Sequence, residues 1–279
     1  MDNKLIKNYL REDMLPHIWC SGCGNGILMR NIVMAIEQNG LDKDKVCIVS
    51  GIGCSSRAAG YMDFNTIHTT HGRAIPVAIG MKLANDDLEV IVITGDGDAT
   101  AIGGNHFIHG ARRNIKMTVI IFNNNIYGMT GGQYSPTTPS MEYGGTAPYG
   151  NVDQSFDLVK LAVASGSTFV ARGTVYHVDK TTELIRRGIL HRGFTVIDCI
   201  STCPTYYGRK NRKGSAAQML RWQKDNCIDA KVAENMTAEE LEGKLVIGEF
   251  HHDNRPNYAT QYKMLVEKYR EDREDIVDE

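Results

Sequence analysis

The residue types and spacing with the clearest chemistry are those around Asp96, in Ile93-Thr94-Gly95-Asp96-Gly97-Asp98-Ala99, and Asn124, 28 positions later in Phe122-Asn123-Asn124-Asn125-Ile126-Tyr127. Each stands at the end of an apolar run, residues 88–94 and 117–122. A carboxylate and an amide delivered by two strands suit a hard divalent cation that bridges a diphosphate. Mg²⁺ takes oxygen ligands in octahedral geometry and shares them among a few protein oxygens, waters and phosphates. Asp96, the Asn124 side chain and the Ile126 carbonyl can supply the protein's share, while Gly95 and Gly97 let the backbone approach a phosphate closely. An Asp-Gly turn alone is common between sheet elements. The paired asparagines at this spacing make the cation site the better reading.

The cysteines form a second group. There are seven, an odd number in a chain whose first eleven residues are polar and charged rather than signal-like, which favours reduced thiols or metal ligands over a disulfide framework. Cys47 and Cys199 lie inside apolar strand-like runs and read as core residues. Cys227 falls in a charged, helix-like stretch and carries no evident chemistry. Cys20, Cys23, Cys54 and Cys203 all sit beside glycine, proline or serine in turn-like contexts. Trp19-Cys20-Ser21-Gly22-Cys23-Gly24 is a CxxC pair, which by itself suits structural zinc or a redox dithiol and leaves a metal site incomplete. Cys54 and Cys203 complete a set of four if their loops converge. Four thiolates fit zinc or a [4Fe–4S] cluster equally well by count.

The elements that must position these groups alternate. Four strand-like runs each lead at once into unusual loop chemistry: 46–50 into Gly51-Ile52-Gly53-Cys54-Ser55-Ser56-Arg57, 88–94 into the Asp96 turn, 117–122 into the asparagines, and 194–200 into Ser201-Thr202-Cys203-Pro204. Helical patterns lie between them at 26–38, 74–84 and 179–192. The alternation predicts an α/β fold, a doubly wound and mainly parallel sheet with helices on both faces. Ligands collect outside the carboxyl ends of such strands, so all four loops are expected along one edge. Residues 130–154 are too long and aperiodic for an ordinary connection and are expected to form a functional loop. A basic run at Arg209, Lys210, Arg212 and Lys213 precedes a helix-like stretch, and residues 263–279 read as a helix turning into an acidic tail. The whole of 1–279 is taken as one domain, with the CxxC segment at its front and a helical extension at its end.

Composition narrows the classes. A hydrophobic content of 42% with 28 glycines describes a globular α/β protein rich in tight turns. The net charge of −2 argues against a nucleic-acid binder, and no uncharged apolar run reaches membrane-spanning length. A cytoplasmic protein is expected.

Taken together, the Asp96-to-Asn124 spacing resembles the diphosphate-binding motif of thiamine diphosphate (ThDP) enzymes. Its continuation, Gly128-Met129-Thr130-Gly131-Gly132-Gln133, resembles that of the β subunits of 2-oxoacid:ferredoxin oxidoreductases. The resemblance runs from about Pro16 to about Pro256. It implies a cofactor cleft formed by Gly53, Cys54, Ser55, Ser56, His71, Gly72, Gly95, Asp96, Gly97, Asp98, Asn124, Ile126, Gly128, Met129 and Thr130, with Mg²⁺ on Asp96, Asn124 and Ile126. It also implies one [4Fe–4S] cluster on Cys20, Cys23, Cys54 and Cys203. His71, in His68-Thr69-Thr70-His71-Gly72-Arg73, precedes a helix and is expected beside the diphosphate. Arg57 is expected to hold the carboxylate of a 2-oxoacid, Asp98 to lie near the cofactor and Arg113 to be structural.

The implied reaction is oxidative decarboxylation of a 2-oxoacid with coenzyme A, electrons leaving through the cluster to ferredoxin. The implied partner is an α/γ-type subunit that brings the pyrimidine-binding half of the ThDP site. The stretches 17–26, 203–209 and 248–252 look most like the 2-oxoglutarate-acting branch, with pyruvate and branched-chain 2-oxoacids as alternatives. Ser21 stands where many relatives carry proline, and both thiols remain. A non-oxidative ThDP decarboxylase would not need the four loop cysteines, and an iron–sulfur or zinc scaffold would leave Asp96 and Asn124 unexplained.

Overall fold

A computed structural model describes residues 3–277. Ten strands appear in chain order: β1 Val46–Ser50, β2 Asn65–His68, β3 Glu89–Gly95, β4 Met117–Asn123, β5 Ile126–Tyr127, β6 Gln133–Tyr134, β7 Phe169–Thr174, β8 Phe194–Ile200, β9 Cys227–Asp229 and β10 Leu245–His252. Eight of them form one sheet in the order β2-β1-β3-β4-β8-β7-β10-β9, and β5 and β6 make a separate two-residue ribbon. The pairs from β2 through to β7 are all parallel, β10 runs antiparallel to β7, and β9 is parallel to β10.

The strands read as continuous apolar runs because helices cover both faces, so both sets of alternating side chains are buried. Ile48, Ile91, Ile93, Ile120 and Ile197 point to one face, where Leu28, Ile32 and Ile36 of helix Asn25–Gln38 and Leu184, Ile185 and Ile189 of helix Val178–Leu190 cover them. Val49, Val90, Val92, Val119, Ile121 and Val196 point to the other, against Ala74, Ile75 and Ala78 of helix Ala74–Ala84, Phe107 and Ala111 of helix Gly104–Arg112, and Leu158, Val159 and Ala162 of helix Leu158–Ala164. Phe107 and Phe194 meet edge to face with ring centroids 6.3 Å apart, locking helix to sheet.

From β1 the chain moves outward to β2, then returns past β1 to β3 and β4 on the other side. The carboxyl ends of β1 and β3 therefore diverge, and that is where a crevice opens in a doubly wound sheet. Two expectations need correction. Helix Ala216–Asn226 ends before Cys227, which instead opens β9. The chain also does not make a simple turn after β3: it enters helical backbone at Asp96 and forms a π-helical segment, Asp98–Ile102. A second π segment, Pro204–Gly208, follows Cys203. Such wide turns occur mostly at functional positions.

Candidate active site

The crevice at the ends of β1 and β3 has a volume of about 250 Å³. It is lined by Gly53, Cys54, Ser55, His71, Gly95, Asp96, Gly97, Asp98, Asn124, Ile126, Gly128, Met129 and Thr130, with Ile52, Phe122 and Tyr127. Thirteen of the fifteen expected cleft residues are thus brought together. Ser56 and Gly72 lie just outside the lining, as does Arg57.

Asp96 is 3% exposed, and its Oδ2 accepts hydrogen bonds from Ser135 Oγ and Thr137 Oγ1, both at 2.5 Å. Burial pushes its carboxyl up to about 6, and the hydroxyls of Ser135 and Thr137 oppose that rise. A buried carboxylate of this kind is well placed to receive a cation. Asn124 is also buried, and its Oδ1 accepts the Ile126 N–H at 3.2 Å, closing a tight turn that passes through Asn125 at φ 61°. Asparagine tolerates that left-handed backbone better than most residues. A Cβ on Gly97 would stand 2.2 Å from Cζ of Tyr127, so glycine lets the Asp96 backbone and the Tyr127 ring approach. The Tyr127 hydroxyl donates to the Gly97 carbonyl at 3.2 Å.

Asp98 ties the loops together. Its Oδ1 lies 2.6 Å from His71 Nδ1 and accepts the Gly72 N–H at 2.7 Å, while Oδ2 accepts Thr94 Oγ1 at 2.7 Å. His71 is therefore held through Nδ1, leaving Nε2 for a ligand in the crevice. Ser55 and Ser56 are 4% and 2% exposed, and neither Oγ has a partner within the protein. Buried hydroxyls normally find one. Ser55 Oγ faces Gly95, 3.2 Å from where a Cβ would stand, so it is an orphaned donor at the crevice wall.

The cysteines converge on the same edge. The Trp19 indole donates to the Cys54 carbonyl at 2.6 Å, the Gly24 N–H to the Thr202 carbonyl at 3.1 Å, and Thr202 Oγ1 to the Gly22 carbonyl at 3.1 Å. The CxxC turn is thereby pinned to the loops after β1 and β8. A Cβ on Gly128 would lie 3.4 Å from Cys54 Sγ and 3.7 Å from Cys203 Sγ, so this glycine keeps open a space that both sulfurs face. Burial pushes the Cys23 thiol up to about 12, opposed by an Asn25 N–H that donates to it and reinforced by nearby Cys203, Cys54 and Cys20. Burial likewise pushes Cys54 up to about 11, with Cys203, Cys20 and Asp96 adding to the rise. Such thiols ionise only beside a compensating positive centre. Cys47 and Cys199 are buried in the sheet, as their setting predicts.

Arg57 closes the short helix Ser55–Arg57 and stands by His68, whose basicity is lowered by burial and then by the Arg57 charge. Its Nε is buried and without a partner, and among the described residues no carboxylate lies within 4 Å of its guanidinium. Arg113 is exposed at the end of helix Gly104–Arg112. The 248–252 stretch lies along β10, with His252 paired to Phe169 at the start of β7, and so runs toward the edge opposite the crevice. Ser135 and Thr137 are contributions that residue spacing did not single out, and Asn123 and Trp19, though inside the quoted motifs, were given no role of their own. A second, larger cleft of about 1010 Å³ lies behind the crevice, where Asn123, Asn125 and Thr137 form part of its wall.

The family described as thiamine pyrophosphate enzyme, C-terminal TPP binding domain, matches residues 51–199, the span from the Cys54 loop through β8. The 2-oxoglutarate synthase subunit KorB of Methanothermobacter marburgensis is 52% identical over 96% of this chain and 94% of its own length. The chain belongs to the β subunits of the 2-oxoacid:ferredoxin oxidoreductases. The KorB subunit of Methanocaldococcus jannaschii is 51% identical over 94% of this chain and 97% of its own length. A solved structure of 2-oxoglutarate:ferredoxin oxidoreductase from Magnetococcus marinus, with 2-oxoglutarate, coenzyme A and succinyl-CoA bound, superposes with a TM-score of 0.84 at 32% identity. It covers 96% of this chain and 92% of its own. Membership makes this chain one subunit of a ThDP oxidoreductase. Among the described residues no helix is long and apolar enough to cross a membrane.

Proposed function

We propose that this chain is the β subunit of a 2-oxoglutarate:ferredoxin oxidoreductase, converting 2-oxoglutarate and coenzyme A to succinyl-CoA and CO₂ while reducing ferredoxin. The observation that carries the reading is the meeting of two chemistries at one sheet edge: Cys54 lines the crevice that contains Asp96 and Asn124, and its sulfur faces the same space beside Gly128 as that of Cys203. The relatives at 51–52% identity supply the substrate. Bound ThDP supplies the carbon nucleophile for removing CO₂ from a 2-oxoacid, and a bound [4Fe–4S] cluster supplies a one-electron acceptor.

The residues present fit both groups. Asp96, Asn124 and the Ile126 carbonyl would hold Mg²⁺; His71 Nε2 and the orphaned Ser55 hydroxyl would donate to the diphosphate; Cys20, Cys23, Cys54 and Cys203 would hold the cluster. The cluster reading is supported by the four cysteines' meeting beside the ThDP crevice, where a one-electron acceptor has a use and a structural zinc has none. The chain acts as the diphosphate half of a site whose pyrimidine half belongs to an α/γ-type subunit.

Arg57, an unpaired cation one helical turn from Cys54, holds a substrate carboxylate. The test is kcat/KM of the complex with its partner subunit for 2-oxoglutarate, pyruvate and a branched-chain 2-oxoacid, in wild type and Arg57→Ala. Wild type prefers 2-oxoglutarate, and the variant loses about 10- to 1000-fold on it with ThDP affinity little changed, a charge-assisted bond being worth roughly 1.5–3 kcal/mol and misplacement adding to it. Preference for pyruvate would overturn the substrate, and an unchanged kcat/KM would return Arg57 to a structural role.

A further inference from the structure

Behind Asp96 lies a set of polar side chains in contact, buried as far as Arg172 and half-buried at Asp157. Ser135 and Thr137, on the loop after β6, both donate to the same carboxylate oxygen, Oδ2, at 2.5 Å. No side chain among the described residues donates to Oδ1. Thr137 Oγ1 also lies 3.1 Å from Asn123 Oδ1, and Asn123 Nδ2 donates to Asp198 Oδ1 at 3.1 Å. Asp198 Oδ2 accepts Arg172 Nε at 2.7 Å, and Arg172 Nη2 reaches Asp157 Oδ1 at 2.6 Å. That last carboxylate also accepts the N–H groups of Val159 and Lys160 and caps helix Leu158–Ala164. Ser135, Thr137, Asn123 and Asp198 are each 5% exposed or less.

The order of the chain fixes a direction. Arg172 sets Asp198, Asp198 sets the amide of Asn123, and Asn123 Oδ1 in turn accepts the Asn125 N–H within the turn that carries Asn124. Thr137 has one hydroxyl proton, which goes to the nearer and ionised acceptor, Asp96. Two hydroxyl donors on a single oxygen, with the Asp96 and Gly97 N–H groups also serving the carboxylate, fix its rotation and leave Oδ1, which has no side-chain donor, as the oxygen to meet a cation. A ligand fixed in this way loses little rotational freedom on binding, and supporting partners of metal ligands commonly govern affinity.

We propose that Ser135 and Thr137 are positioning residues for the cation: they orient Asp96 so that the loop after β6, and not β3 alone, sets Mg²⁺ affinity. The inference rests on the reading of Asp96 as a cation ligand. Its test is calorimetric titration of Mg²⁺, at saturating ThDP, into the full chain purified with its partner subunit and stripped of metal and cofactor. Ser135→Ala and Thr137→Val are expected to weaken Mg²⁺ binding by about 10- to 100-fold each, and Thr137→Ser, which keeps the hydroxyl, to stay within about twofold of wild type. Circular dichroism melts of the same samples report folding. Should Thr137→Val fail to fold, Ser135→Ala against Thr137→Ser decides. Unchanged affinity in the hydroxyl-free variants, or a Thr137→Ser as weak as Thr137→Val, would overturn the inference. Wild type binding ThDP without Mg²⁺ would instead overturn the assignment of Asp96.

Discussion

At the scale of single residues, Asp96, the proposed cation ligand, is set by burial and partners together. Burial raises its carboxyl to about 6, two hydroxyls restrain the rise, and a proton competes with the cation for the same group. Because the folded value lies above the ordinary carboxylate value, the apoprotein holds an extra proton between about pH 4 and pH 6 and loses stability as pH rises through that window. Cation affinity has the opposite trend. Mg²⁺ binding to the metal-stripped protein is expected to weaken by up to about tenfold per pH unit below about pH 6 and to be flat above about pH 7, as one proton is displaced. Asp96→Ala removes the anionic oxygen and is expected to abolish Mg²⁺-dependent ThDP binding with the fold intact. Equal ThDP affinity in Asp96→Ala, measured by calorimetry, would contradict this. The crevice carboxylate was legible from its glycines and its spacing to Asn124, but Ser135 and Thr137 were not. They sit in a loop without periodicity, and nothing in their local sequence marks which hydroxyl turns inward.

At the scale of elements, the site is built by loops that leave parallel strands and are then cross-tied. Trp19 holds the CxxC turn to the loop after β1, Thr202 holds it to the loop after β8, and Gly128 leaves the space that Cys54 and Cys203 face. Serine at any of positions 20, 23, 54 or 203 is expected to lower bound iron and the broad absorbance near 400 nm in anaerobically purified protein. Serine at 47, 199 or 227 should leave both unchanged. Gly128→Ala is the sharper probe: its methyl meets the sulfurs at ordinary contact distance in the thiol form, so the chain should fold while iron incorporation falls. Iron retained in all four serine variants, or stoichiometric zinc in the wild type, would contradict the cluster. The four strands and their loops were readable because doubly buried parallel strands are uninterrupted apolar runs. Cys227 was misplaced because the helix before it is polar and shares its composition with the short strand it opens.

At the scale of the whole molecule, divergence of the chain on either side of β1 and β3 puts the crevice at the switch point, and the β8 loop brings Cys203 to the same edge. That convergence was predictable from alternation alone. The position of β10, antiparallel against β7, was not, and it turns the 248–252 stretch away from the crevice. Among the residues lining the crevice, Met129 and Ile52 are exposed. The most direct test of this half-site account is 2-oxoglutarate- and coenzyme A-dependent viologen reduction under anaerobic conditions with Mg²⁺ and ThDP, measured for this chain alone and with its α/γ-type subunit. The account predicts no rate above the blank for the chain alone and a rate requiring both cofactor and coenzyme A once the partner is added; a full rate from this chain alone would contradict it.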